Sequence, residues 1–85
     1  MKRYRLYTER FPNNATLATK YFDGFNVTET RGYWRGVAED SMVIEVFANE
    51  GWSARAKIEA LREEIRTVNN QESVALTIEP VNVEF

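Results

Sequence analysis

Apolar and polar side chains alternate from the start of the chain, with Tyr4, Leu6 and Thr8 on one side and Arg3, Arg5, Tyr7 and Glu9 on the other. A period of two predicts a strand over Lys2 to Glu9 with one buried face. Phe11-Pro12 breaks the pattern. Asn13 or Asn14 then stands where it can cap a short helix running to about Phe22 and stopped by Asp23-Gly24. Its inward side is either Ala15, Ala18 and Phe22 or Leu17 and Tyr21. Thr16 and Thr19 lower its propensity, so packing against a sheet must hold it.

Alternation returns at Phe25, Val27 and Glu29 and continues through Gly32, a candidate bulge, into Tyr33-Trp34-Arg35. Gly36 to Ser41 has the composition of a hairpin connection. Met42, Ile44 and Val46 follow on one face and Val43, Glu45 and Phe47 on the other, a third strand with apolar groups on both sides. Ser53 is placed to cap the clearest helix, in which Ala54, Ile58, Leu61, Ile65 and Val68 form one stripe. The opposite face, with Arg55, Glu59, Arg62, Glu63 and Arg66, reads as solvated charge pairs. Asn69-Asn70 ends the helix, and Ser73 to Glu79 forms a last strand with Val74, Leu76 and Ile78 inward. The apolar phase then shifts to Val81, Val83 and Phe85. Pro80 sits at the shift and cannot donate to a ladder, which predicts a bulge or a break.

The order β-α-β-β-α-β predicts an α+β, ferredoxin-like sandwich: a four-stranded antiparallel sheet with two helices on one face. The first and third strands are central neighbours in that topology. Their outward residues Arg3, Arg5, Tyr7, Val43, Glu45 and Phe47 therefore share an open face.

The 85 residues, 44% apolar and 28% charged, suit a single domain spanning residues 1–85. With no His and no Cys, the chain cannot supply a Ser-His-Asp triad, a Cys nucleophile, a His/Cys zinc site or an iron–sulfur ligand. No cofactor is expected, and no enzyme. A net charge of −2 argues against general nucleic-acid binding. Residues 1–36 carry seven basic side chains against three acidic, and residues 37–85 carry four against ten. The lopsidedness is either ordinary solvated charge or a complementary contact between copies. No apolar run approaches a membrane span and none follows Met1 to Arg5, so a soluble, cytoplasmic protein is expected.

Three surfaces compete for function. Tyr7, Val43 and Phe47, with the tail residues Val81, Val83 and Phe85, form an apolar patch that a second copy would cover, giving a homodimer. Tyr7 and Phe47 also stand where aromatic residues of RNA-recognition domains stack on bases. The run Arg31-Gly32-Tyr33-Trp34-Arg35-Gly36-Val37, however, departs from the motif of such domains at Trp34 and Arg35 and precedes the third strand. The third surface is Arg31, Tyr33, Trp34 and Arg35, where broad rings and planar guanidinium groups suit a ligand or a partner protein. Against it, Trp34 and Trp52 can close one end of the core. Glu39, Asp40 and Glu29 lack the spacing of a catalytic pair or a Mg²⁺ site and read as solvated turn residues.

Phe22-Asp23-Gly24-Phe25-Asn26-Val27, Gly32-Tyr33-Trp34-Arg35-Gly36 and Glu39-Asp40-Ser41-Met42-Val43-Ile44 together resemble small bacterial and phage-borne domains of unassigned function. The resemblance covers the middle third of the chain. It implies an α+β sandwich of mobile-element origin and brings no chemistry to any residue. The expectation is thus a non-catalytic binding or assembly module, homodimeric through the open sheet face or the C-terminal tail. The alternative is a mobile-element accessory or inhibitor protein that binds a host macromolecule.

Overall fold

Each of the long alternating runs becomes a strand because only a sheet can put every second side chain on one side. In a computed structural model describing residues 1–49 and 51–85, the elements are β1 (Lys2–Glu9), α1 (Asn14–Thr19), β2 (Asn26–Trp34), β3 (Val37–Ala48), α2 (Trp52–Val68) and β4 (Ala75–Pro80). The strands form one sheet in the order β2-β3-β1-β4, and every pairing is antiparallel. This is the expected α+β sandwich.

Tyr4 and Leu6 of β1 and Met42, Ile44 and Val46 of β3 are buried against Ala18 of α1 and Ile58, Leu61 and Ile65 of α2, with Val74 closing the edge. Val68, expected on the helix stripe, is instead exposed at the last residue of α2. Gly51 precedes α2 at a φ of 151°, and among the described residues no side chain, that of Ser53 included, caps it. The first helix ends at Thr19, sooner than expected, with Ala15 exposed and Leu17, Tyr21 and Phe22 packed at the core's margin.

The ladder between β2 and β3 runs without a bulge from Asn26↔Glu45 to Trp34↔Val37, through Gly32↔Glu39. Its turn is Arg35-Gly36, not the longer connection to Ser41. Both turn residues have positive φ, 50° and 79°, as a type I′ hairpin requires. β1 pairs with β3 only as far as Glu9↔Ser41, so among the described residues the tip of the hairpin overhangs the sheet with no third strand beside it. Arg10 clamps its base: the backbone N–H donates to the Asp40 carbonyl at 3.0 Å, and the guanidinium reaches Glu29 and Asp40 at 3.4 Å. At the other end β4 continues through Pro80, paired with Lys2, and the Val81 N–H donates to the Met1 carbonyl at 3.0 Å.

The two oppositely charged halves of the sequence meet inside this fold. On the open face Arg5 contacts Glu45 at 3.0 Å and Glu79 at 3.7 Å, and Arg3 bonds Glu79. Lys20 and Tyr21 of the first helical segment both bond Glu64 of α2. The Arg3 guanidinium holds the Glu79 carboxyl below the ordinary carboxylate range, and Lys20, then Tyr21, lower that of Glu64.

Arg35 is a non-glycine residue in left-handed backbone, so Arg35→Asn, which tolerates that conformation, should stabilise the protein by roughly 0.5–1 kcal/mol in a denaturant titration. Lowered carboxylate pKa values stabilise the fold above the ordinary value of 4.5, and that contribution is lost as pH falls through the folded-state values. Thermal melts from pH 6 downward should therefore show an acid decline that Glu79→Gln makes shallower.

Candidate functional site

Beneath the hairpin overhang the chain leaves an open concavity of about 740 Å³. Tyr7, Thr8 and Glu9 enter it from the end of β1, and Thr30, Gly32, Tyr33 and Trp34 from β2. Glu39, Ser41 and Met42 come from β3, and Gln71, Glu72 and Ser73 from the loop before β4. Gly32 keeps the floor low: a Cβ there would meet the Ser41 Oγ at 3.1 Å.

The wall formed by residues 71–73 is tied down by buried amides. The Gln71 side chain donates to the Thr8 hydroxyl at 2.7 Å and accepts from the Glu9 backbone N–H at 3.1 Å. Asn14, fully buried, donates to the Glu9 carbonyl at 3.0 Å and accepts from the Asn69 amide at 2.9 Å. One polar cluster thus joins the end of β1, the start of α1 and the end of α2. Buried polar groups are retained when each finds a partner, and these do.

The four residues of the expected binding cluster are separated by the hairpin. Tyr33 and Trp34 line the concavity, 71% and 65% exposed. Arg31 lies on the exposed edge strand, and Arg35 in the turn stacks over the Trp34 ring, 5.5 Å from its centroid. Trp34 and Trp52 do not close the core: Trp52 is 84% exposed and stands at the start of α2. Of the expected interface residues, Tyr7, Val43 and Phe47 lie on the open face around the charged ladder. Val81 and Val83 are half-buried, and Phe85 is fully exposed. Thr8, Glu9, Thr30 and residues 71–73 were not singled out from the sequence. The one available signal was Thr8, a hydroxyl at an inward position among apolar neighbours.

Comparison with known proteins adds a family to this geometry: a family model matches residues 6–85. The chain belongs to DUF3574, a family of proteins of unknown function. That agrees with the resemblance to small domains of unassigned function. No curated protein matches the DUF3574 chain. Among solved structures, a phage SAM lyase in complex with S-methyl-5'-thioadenosine aligns with a TM-score of 0.70 at 17% identity, covering 92% of this chain and 79% of that one. The apo state of a phage SAM lyase aligns at 0.70 and 18% identity, over 92% and 78% of the two chains. The periplasmic divalent cation tolerance protein CutA from Archaeoglobus fulgidus aligns at 0.54 and 13% identity, over 100% and 88%. At these identities the likeness is one of fold.

Gln71→Ala removes the bonds that tie the Thr8 hydroxyl and the Glu9 N–H to the loop, leaving the hydroxyl only the neighbouring Glu9 carbonyl, and should lower stability by about 1–3 kcal/mol. Trp34→Ala removes an exposed ring and should stay within about 0.5 kcal/mol of the parent protein. Paired thermal melts of the two variants check both.

Proposed function

We propose that this protein is a small non-catalytic binding module whose ligand, a cation joined to a flat ring, sits in the concavity beneath the hairpin. One observation carries the reading. Among the described residues, the lining holds three carboxylates (Glu9, Glu39, Glu72) and three aromatic rings (Tyr7, Tyr33, Trp34), with no Lys or Arg. Arg35 already covers one face of Trp34, which leaves its other face and the rings of Tyr7 and Tyr33; a ring face attracts a cation by about 0.5–1 kcal/mol when exposed and more when desolvated, and nearby carboxylates add charge attraction. A phosphate or carboxylate would meet like charge there. Hydroxyls of Thr30 and Ser41 supply orienting hydrogen bonds.

The open sheet face has less to offer a partner. Its centre is occupied by Arg3, Arg5, Glu45 and Glu79, whose charges already satisfy one another. Tyr7, Val43 and Phe47 surround that ladder without forming an unbroken apolar surface.

A second reading, an enzyme, is favoured by one specific placement: Glu39 shares the concavity with Tyr33 and Trp34, so a carboxylate stands beside the rings that would hold a ligand. The fold likeness to SAM lyase suggests a probe pair that separates the two readings. S-methyl-5'-thioadenosine carries a neutral thioether, whereas SAM carries on the same nucleoside a sulfonium and an ammonium against one carboxylate, a net positive charge. Titrated into the protein and followed by NMR, both should give saturable shifts at Thr30, Tyr33 and Trp34. SAM should bind roughly five- to tenfold more tightly. Glu39→Gln should narrow that gap. Conversion of SAM during the titration would favour the enzyme, and the absence of saturable shifts with either compound would reject the concavity as the site.

A further inference from the structure

We infer that two copies of this chain pair edge to edge and antiparallel along β2, about a two-fold axis at Thr30. This goes beyond the ligand reading and stands without it. β2 is an outer strand of the sheet, exposed along its length except at half-buried Gly32. An outer strand presents a row of unpaired N–H and C=O groups, which proteins blunt with proline, bulges, very short strands or charged side chains. β2 has none of the first three: it is nine residues long, contains no proline, and its ladder with β3 is unbroken. Its two charges, Glu29 and Arg31, are of opposite sign.

Its side chains are complementary to themselves in one register. Residues opposed across a ladder share a face of the sheet, so a two-fold pairing of a strand with its own copy must centre on a residue. Centring on Glu29 opposes two carboxylates, and centring on Arg31 opposes two guanidinium groups. Centring on Thr30 opposes Glu29 to Arg31 of the partner subunit, twice over. The same register opposes Val27 to Tyr33 of the partner subunit on the same face. Thr30 is also the midpoint of Asn26–Trp34, so this register alone pairs the strand over its whole length. Among the described residues Arg31 makes no ion pair within its own chain, and Glu29 reaches only Arg10, at 3.4 Å. The pairing would place Thr28 of the partner subunit opposite Gly32, beside the floor of the concavity.

Charge reversal and its rescue test the register. Sedimentation equilibrium of the unmodified protein at roughly 100 μM should give twice the chain mass. Glu29→Arg or Arg31→Glu alone opposes like charges at two places and should return it to monomer at that concentration, at least a tenfold weakening. The double exchange restores both pairs and should restore the dimer. Both positions are exposed, so the monomer fold should survive. Independently, the outward amides of β2 in the unmodified protein should exchange more slowly with hydrogen at high concentration than at low. A monomer at every concentration, a dimer indifferent to both single reversals, a double exchange that stays monomeric, or β2 amides whose exchange ignores concentration would each overturn the inference.

Discussion

The central strand β1 carries the constraint on which the rest of the molecule depends. It is flanked by β3 on one side and β4 on the other, so it must serve the core with one set of residues and the open face with the other. Tyr4 and Leu6 meet the helices, while Arg3 and Arg5 meet Glu45 and Glu79 across both neighbouring strands. In a domain this small, little core can be spared, and an unpaired charge at the centre of a sheet would be costly. The ion ladder solves the second problem where the alternation solves the first. It also explains the lopsided charge of the sequence: basic groups of the first half find acidic partners from the second, at Glu45, Glu79, Asp40 and Glu64.

What was legible in the sequence was the part governed by burial. Strands β1 and β3 and helix α2 carry clear periods because one side of each meets the core, and their order was enough for the layer arrangement and the strand neighbours. The hairpin tip was read less well. Glu39-Asp40-Ser41 has the chemistry of a turn, yet these residues belong to β3, because an overhanging ribbon with water on both faces is held by its ladder and needs no apolar alternation. The true turn, Arg35-Gly36, is marked only by Gly36.

The candidate site was half legible for a related reason. Tyr33 and Trp34 stood out by residue type, and both line the concavity. Gln71 and Glu72 did not, since a loop after a helix shows no sign of the strand it will lie against. Trp34 and Trp52 invited a place in the core on size alone. The core is already filled by Leu6, Ile44, Ile58, Leu61 and Ile65, which leaves both indoles outside.

The amides around Thr8 have an effect on the fold that their small number conceals. A strand displaced by two residues keeps every side chain on its own face, so the in-and-out pattern of β4 against β1 cannot distinguish Leu6 beside Leu76 from Leu6 beside Ile78. Hydrophobic burial is nearly blind to that error. Gln71 is not, because its amide meets the Thr8 hydroxyl and the Glu9 N–H in only one alignment. A few polar atoms at the wet end of the core thus act as the key that lets a greasy, forgiving lock turn to a single position.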